Sequence, residues 1–256
     1  MRAILLLVVM TSGAALAQDA FEIAVYGSET AVPGQLGAEL HLNHVLVGRT
    51  TGRDGALPTE HVTHLTLEPH VGLATWCEAG AYLSTALRAD GHYDYAGIKL
   101  RFKARLPWKV GEVLGFALNQ ELSATPATYE AGQFAWELRP VVDLDWKRLY
   151  VSVNPIVSVP MLGGLPDFEP SAKASVRVLD QLTVGAEYYA ALGTIGRPQP
   201  PSAQSHRLFG TVDLDWQRGR ALYELNVGVG YDFTGPEKWI VKAIVAFDLL
   251  PEPARP

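Results

Sequence analysis

Apolar and polar side chains alternate along most of this chain, and this two-residue period constrains the fold more than any other feature. Successive side chains of a β-strand point to opposite faces, so the alternation predicts strands with one apolar and one polar face. The segment 95–106 shows the pattern most clearly. Its apolar face is Ala96, Ile98, Leu100, Phe102, Ala104 and Leu106, and its opposite face is Tyr95, Gly97, Lys99, Arg101, Lys103 and Arg105.

The alternation recurs in twelve segments, and no stretch has a clear 3.6-residue apolar period. Strands of about 9–11 residues are long enough to cross a bilayer at a tilt. The predicted strands are 36–46, 62–71, 76–87, 95–105, 113–123, 133–144, 149–158, 171–179, 182–192, 207–216, 221–232 and 238–248. Short connections generally alternate with longer, Gly- and Pro-rich ones, as periplasmic turns and external loops do in outer-membrane barrels.

These features predict an all-β fold, a twelve-stranded antiparallel up-and-down transmembrane β-barrel with both termini in the periplasm. After the first 17 residues no segment approaches the ~20 apolar residues of a membrane helix, so a membrane-embedded chain has to form a closed barrel. Alternation alone also fits a soluble periplasmic β-sandwich with one wet face. The even number, length and spacing of the strands favour the barrel.

The tryptophans cluster at the ends of the predicted strands. Indole rings prefer the lipid headgroup zone, so rings of tryptophan mark the two interfaces of a membrane barrel. Four of the six lie beside short turns, namely Trp76, Trp108, Trp146 and Trp216, whereas Trp136 and Trp239 lie near connections at the other end. We therefore expect an outward-facing tryptophan girdle at the periplasmic end.

The first 17 residues have the three parts of a secretory signal peptide. Arg2 precedes the apolar run 3–10, and Ala15-Leu16-Ala17 forms a small-x-small cleavage site. The run is too short to anchor the chain across ~30 Å of hydrocarbon. We divide the chain into a signal peptide (1–17), a periplasmic N-terminal lead (18–34), the β-barrel (35–249) and a C-terminal tail (250–256). Residues 18–34 also fit a short strand.

Composition excludes several classes of function. The formal net charge of −6 argues against a nucleic-acid binder, and a single cysteine leaves no disulfide framework and no multi-cysteine metal site. We expect no cofactor and no nucleic-acid partner. The expected partners are outer-membrane lipid, the barrel-assembly machinery and small solutes, and the expected state is a monomer in the outer membrane.

Several strand motifs resemble a group of small, poorly characterised Gram-negative outer-membrane β-barrels. These motifs are Gly97-Ile98-Lys99-Leu100-Arg101-Phe102-Lys103, Glu137-Leu138-Arg139-Pro140, Asn154-Pro155-Ile156, Gly185-Ala186-Glu187-Tyr188-Tyr189 and Gly228-Val229-Gly230-Tyr231-Asp232-Phe233. Some members of that group are labelled putative transporters or are linked to phenol-degradation operons. The resemblance implies a fold and a location more than an activity. Such barrels often end in an aromatic residue, whereas here the last aromatic is Phe247, followed by a Pro-rich tail.

The predicted inward faces carry charges whose sign differs between neighbouring strands, an arrangement in which opposite charges on adjacent strands attract. The candidate lumen and selectivity residues are Lys99, Arg101, Lys103, Glu121, Glu137, Arg139, Lys173, Glu187, Glu224, Lys242 and Glu39. Further inward acids are Glu68, Glu78 and Asp213. The basic strand 95–105 is expected between Glu78 and Glu121. After closure, Lys242 is expected between Glu224 and Glu39.

This charged interior supports two functions. Charged rings set which solutes pass a pore, so one hypothesis is a passive or weakly selective channel for small polar or aromatic solutes. The same pairs can instead cross-link the lumen, which gives a structural or surface-interaction barrel. Strand number does not decide between them, because twelve strands lie between filled eight-stranded barrels and open sixteen-stranded porins.

Enzymatic and metal sites are not expected. The pair His61-x-x-His64 could supply two metal ligands, but residues three apart on a strand point to opposite faces. Ser84 and Ser152 are predicted to face inward without a histidine clearly beside them, and no G-x-S-x-G elbow is present. The interpretation is therefore a non-enzymatic barrel.

Overall fold

The computed structural model describes residues 19–52, 55–129 and 134–252. The segment predicted as a signal peptide and the last residues of the tail lie outside these ranges. Apart from one short 3₁₀ helix (Pro201–Ala203), the regular elements are β-strands. They are β1 (Leu36–Val47), β2 (Thr63–Ala74), β3 (Cys77–Leu87), β4 (Tyr93–Arg105), β5 (Leu114–Ala124), β6 (Phe134–Trp146), β7 (Leu149–Asn154), β8 (Val157–Pro160), β9 (Asp167–Phe168), β10 (Ser171–Leu179), β11 (Leu182–Ala191), β12 (Gly193–Thr194), β13 (Arg197–Pro198), β14 (Ser205–Arg218), β15 (Ala221–Asp232) and β16 (Trp239–Leu249).

The strands form one closed antiparallel barrel, which confirms the predicted fold class. Each long strand pairs with the next one along the chain, and β1 closes the wall by pairing with β16 from Leu36↔Leu249 to Val47↔Trp239. β7 and β8 are two halves of one wall strand, so the wall has twelve strands. The short strands β9, β12 and β13 extend the wall beyond β8 at the long-loop end.

The break between β7 and β8 lies at Pro155 and Ile156. Proline has no N–H to donate to the ladder, so it is found where a strand bends or bulges. Pro170 lies at the same level, immediately before the facing strand β10, since Ser171 pairs with Asn154. The ladder resumes at once, because the N–H of Glu169 donates to the carbonyl oxygen of Ile156 at 2.9 Å. The predicted strand 149–158 is thus present as two pieces around a bend.

The two faces of the wall are those that the alternation predicts. In β4, Leu100 is 60% exposed on the outside, whereas Lys99 is 8% exposed and lies inside with Arg101 and Lys103. The six tryptophans are all exposed on the outer surface. An apolar outer band with aromatic ends is typical of a barrel in lipid. Among the residues that the structure describes, no helix is long and apolar enough to cross a membrane.

Residues 19–35, here called the N-terminal segment, run through the inside of the barrel. The sequence predicts a periplasmic lead for this stretch; the structure instead places it against the inward side chains of the wall. Asp19 contacts Lys99 of β4, and Gln35 bonds to Asp248 at the turn end of β16. Sequence alternation describes only one strand at a time, so it could not reveal this long-range contact.

The face assignment predicts unequal effects for two identical substitutions. Leu100→Arg places a charge in hydrocarbon near the middle of β4 and should lower the free energy of unfolding by about 2–4 kcal/mol. Leu162→Arg lies in the loop after β8, where Leu162 is 75% exposed, and should change it by less than about 0.5 kcal/mol. Denaturant unfolding of the protein from lipid vesicles measures both. Equal effects would mean that Leu100 does not face lipid.

Candidate functional site in the barrel lumen

The N-terminal segment enters the lumen from the turn end and reaches the level of the long loops. At the turn end, the N–H of Gly34 donates to the carbonyl oxygen of Gly72, and the N–H of Gly72 donates to that of Gln35. At the other end, the ring of Phe21 packs edge-on against His64 of β2, with centroids 4.6 Å apart. The segment therefore occupies the lumen along most of its length.

Glu22 holds the middle of the segment against the basic side of the wall. Its two carboxylate oxygens lie 3.0 Å from Lys99 Nζ and 3.1 Å from Arg139 Nη1. Lys99 also contacts Glu121 at 3.2 Å, and Arg139 contacts Glu137 at 2.8 Å. Glu22 is fully buried, and such a charge is tolerated only when paired. The segment and the wall therefore share one ionic network.

Tyr26 fills the space below this network. Its hydroxyl lies 2.7 Å from that of Tyr82, and its backbone N–H donates to Asn154 Oδ1 at 2.8 Å. The guanidinium of Arg139 lies 4.6 Å from the centre of its ring. An aromatic face attracts a cation at this distance. Tyr26 therefore packs on the wall's cations as well as bonding to neutral groups.

The lower part of the segment is fastened by acidic wall residues. Ser28 donates from its N–H and its hydroxyl to Asp143, at 2.6 and 2.8 Å. The N–H of Ala31 donates to Glu78 at 2.5 Å. Buried backbone N–H groups need hydrogen-bond acceptors. The N–H groups of Ser28 and Ala31 lie outside the ladder of the wall, and the carboxylates of Asp143 and Glu78 serve as their acceptors.

Glu29 lies near the turns and meets cations there. It contacts Arg105, and its other oxygen lies 3.1 Å from Lys109 Nζ in the turn after β4. Partial burial opposes the charge of Lys109, but the hydrogen bond and charge of Glu29 raise its pKa above the ordinary value. The end of the segment near the turns is thus held by ion pairs as well as by backbone hydrogen bonds.

Two apolar residues of the segment, Phe21 and Ile23, pack into separate clusters on the wall. Ile23 is buried in a cluster inside the barrel near the long-loop end, together with Val45, Tyr189, Phe209 and Ile240. Phe21 joins a second cluster with Val62, Ala86 and Ala96. Burying a side chain of this size contributes about 1.5–3 kcal/mol. The segment therefore combines apolar and ionic contacts with the wall, although it pairs with no strand along most of its length.

The remaining predicted lumen residues form two further networks. Arg101 bridges Glu68 at 2.8 Å and Glu78 at 2.7 Å. Lys173 bridges Glu187 at 3.2 Å and Asp213 at 2.8 Å. Lys103 donates to the carbonyl oxygen of Glu29. The basic strand β4 thus lies between acidic neighbours, in the order that the sequence predicts.

Lys242 does not pair where the sequence places it. Its ammonium group contacts Glu187 on β11, not Glu224 or Glu39 on the adjacent strands. The path is open because Gly228 lies beside Lys242 on β15, and a Cβ there would come within 3.3 Å of Lys242 Cε. A long side chain can therefore pass over the glycine to a more distant strand.

Glu39 and Glu224 lie near the turn end, on either side of Ala246. Glu224 is exposed, and within the described part of the chain no cation forms an ion pair with it. Glu39 is 27% exposed and contacts His41. These acids line the part of the lumen nearest the turns.

One ionic network at the long-loop end was not among the predicted site residues. Arg207 is buried between Asp232, at 3.1 Å, and Glu237 of the loop after β15. Ser205 also donates to Asp232, at 2.7 Å. The alternation of Ser205, Arg207 and Phe209 along β14 was the available signal for Arg207. The inward position of Glu237 has no such signal, because it depends on how a loop folds.

The candidate catalytic and metal residues are used structurally. Ser84 bonds to Thr66, and Ser152 donates to the carbonyl oxygen of Tyr26. His61 is exposed in the loop before β2, whereas His64 is buried against Phe21. The two histidines therefore have different surroundings, although they do not share a strand as the sequence argument assumes, because β2 begins only at Thr63.

Solved structures of outer-membrane proteins have the same fold. The COG4313 outer membrane channel from Pseudomonas putida F1 is similar with a TM-score of 0.60 at 7% identity, over 89% of this chain and 99% of that chain. The NanC porin has a TM-score of 0.55 at 6% identity, over 84% and 100%. The KdgM porin has a TM-score of 0.54 at 9% identity, over 84% and 99%.

No family model and no curated protein matches the sequence. At these identities the structural likeness shows the fold alone. The chain has the fold of porin-like outer-membrane β-barrels, which confirms the class to which its strand motifs point.

The close contact between Gly72 of β2 and the N-terminal segment predicts that a small substitution displaces the segment. A Cβ on Gly72 would collide with the carbonyl oxygens of Ala31 and Val32. β2 is held by strands on both sides, so Gly72→Ala should displace the segment and not the strand. The packing of the segment in the lumen should become less stable by about 1–3 kcal/mol. Hydrogen exchange of the amides of Ser28 and Ala31 should accelerate accordingly. Gly210→Ala is the matched control, because nothing lies within 4 Å of a Cβ there. Unchanged hydrogen-exchange rates of these amides in Gly72→Ala would contradict the described position of the segment against Gly72.

Proposed function

We propose that the protein is an outer-membrane channel for small polar or aromatic solutes, and that the N-terminal segment restricts its lumen. The observation that carries this proposal is a lumen lined by ionisable side chains and occupied by a segment that lies outside the sheet. Outer-membrane lipid surrounds the barrel, the barrel-assembly machinery inserts it, and it acts as a monomer.

The way the segment is held favours a channel that can open. Its contacts at the middle of the lumen are side-chain bonds to Lys99, Arg139 and Asn154, not a ladder. The wall closes through its own strand pairs, so moving the segment breaks none of them. Displacement would expose a hydrated, charged passage through an intact wall.

The exposed charges would then set selectivity, since rings of charged side chains determine which ions pass. Anions would be attracted by the basic residues Lys99, Arg101, Lys103 and Arg139. Glu121 and Glu137 on the neighbouring strands would oppose this attraction. Lys173, Glu187 and Lys242 would act on the opposite wall. Glu39 and Glu224 would favour cations at the periplasmic mouth. Aromatic solutes are suggested by Tyr82 and Tyr189 of the wall among these charges, and by the resemblance to barrels linked to phenol degradation.

A structural barrel with a permanently closed lumen is the second candidate. The buried pairs of Glu22 and the apolar packing of Ile23 favour it, since they fill the centre of the barrel. Such a protein would act through its outer loops. It would conduct no ions.

Conductance in planar bilayers tests the channel. The full chain should give discrete current steps. Lys99→Gln removes one positive charge facing Asp19, Glu22 and Glu121, so it should shift the reversal potential in a KCl gradient toward cation selectivity. Arg148→Gln removes a positive charge from the exposed turn after β6 and should leave the reversal potential unchanged.

Two results would count against the proposal. Absence of current steps at any voltage, from protein that still migrates as a folded barrel on an unheated gel, would leave the structural barrel. Equal shifts for the two variants would mean that Lys99 has no special role in selectivity.

A further inference from the structure

A histidine and two glutamates converge on one point of the lumen wall. Glu39 and His41 are two residues apart on β1, so both face inward, and Glu68 lies directly opposite Glu39 on β2. His41 Nε2 is 3.4 Å from Glu39 Oε2 and 3.3 Å from Glu68 Oε2. The three candidate ligand atoms lie within 4.8 Å of one another.

These distances are long for charge-assisted hydrogen bonds, which are usually about 2.7–2.9 Å. They match another geometry. Zinc binds histidine nitrogen and carboxylate oxygen at about 2.0–2.2 Å, and in a tetrahedron with such bonds neighbouring ligand atoms are about 3.3–3.6 Å apart. One imidazole N–H can serve two carboxylates only as a long, bifurcated hydrogen bond, whereas one cation can bind all three atoms at full strength.

The surroundings of the three ligands favour the same interpretation. The second oxygen of Glu68 lies 2.8 Å from Arg101 Nε, so an ion pair from the wall holds the far side of this carboxylate. His41 is 1% exposed, so its ring is shielded from bulk water.

We infer that Glu39, His41 and Glu68 bind a divalent transition-metal ion of the Zn²⁺ type. The fourth position would face the lumen beside Glu39, the partly exposed member of the set. Ala246 separates Glu39 from the exposed Glu224, so a further acid lies next to the site. Mg²⁺ prefers six oxygen ligands, so it is not expected to bind.

A second inward histidine with an acidic partner, His70, provides a control. His70 Nε2 lies 2.8 Å from Asp248 Oδ1, an ordinary hydrogen-bond distance, and Gln35 donates to the same oxygen. This pair also lines the lumen near the turns, but its geometry is explained without a metal. Variants of His41 and His70 therefore separate the proposed site from general binding by lumen histidines.

Equilibrium dialysis of the full chain in detergent against buffered Zn²⁺ tests the site. We expect one Zn²⁺ per chain, not displaced by millimolar Mg²⁺. His41→Gln and Glu39→Gln should each weaken binding at least tenfold, whereas His70→Gln should bind as the unaltered chain does. Co²⁺ in place of Zn²⁺ should give visible absorption bands of a tetrahedral site, and these should be lost in His41→Gln.

Folding is checked for each variant by its migration on an unheated gel. If His41→Gln does not fold, Glu39→Gln decides, because Glu39 is the partly exposed ligand. The inference is overturned by an unaltered chain that binds no Zn²⁺, by variants of Glu39 or His41 that bind like it, or by a loss as large in His70→Gln. None of these results depends on whether the barrel conducts.

Discussion

Backbone N–H and C=O groups within hydrocarbon have no water to bond with, so a strand crossing a bilayer has to satisfy them through its neighbours. A sheet meets this requirement everywhere only if it closes, and β1 accordingly pairs with both β2 and β16 over most of its length. Closure divides the side chains of every strand into an outer and an inner set. The outer set faces lipid and is apolar, and polar groups are left to the inner set.

The polar side chains of the inner set then have to find hydrogen-bond and ion-pair partners inside the barrel. Interiors of eight-stranded barrels are filled by their own side chains, whereas sixteen-stranded porins hold water. Twelve strands leave a lumen of intermediate width, and here the N-terminal segment occupies it. Glu22 and Tyr26 face the cations of β4 and β6, while Ile23 packs on the other side. The segment therefore supplies the groups that wall side chains alone do not provide.

Sequence reasoning was most successful where a single strand carries the information. The faces of β4 follow from alternation alone, and so do the inward positions of Lys99 and Glu121. It failed where the answer depends on a distant part of the chain. Residues 19–35 alternate over too short a stretch to be placed, and their partners are spread around the wall, from β1 and β2 through β4 and β6 to β16. Only the assembled barrel brings these groups together.

The choice of ion-pair partners was a second limit. Adjacent strands predict Lys242 beside Glu39 and Glu224, yet the ammonium group reaches Glu187 because Gly228 leaves its path open. Side-chain reach inside a barrel thus depends on the sizes of the intervening residues as well as on strand order.

Under the proposed function, the mixture of charged and apolar contacts explains how one lumen could be both closed and conducting. An ion pair in a water-poor interior is costly to break, because each partner loses its counter-charge before water replaces it. When the N-terminal segment withdraws, however, water follows, and Lys99 and Arg139 remain paired with Glu121 and Glu137 of the wall. The charged groups of the segment, Asp19, Glu22 and Glu29, exchange protein partners for water. If the segment were held by apolar contacts alone, its withdrawal would expose apolar surface on both the segment and the wall. That exposure to water is unfavourable. A charged wall therefore lowers the free-energy difference between the two states, while Phe21 and Ile23 keep the segment in place.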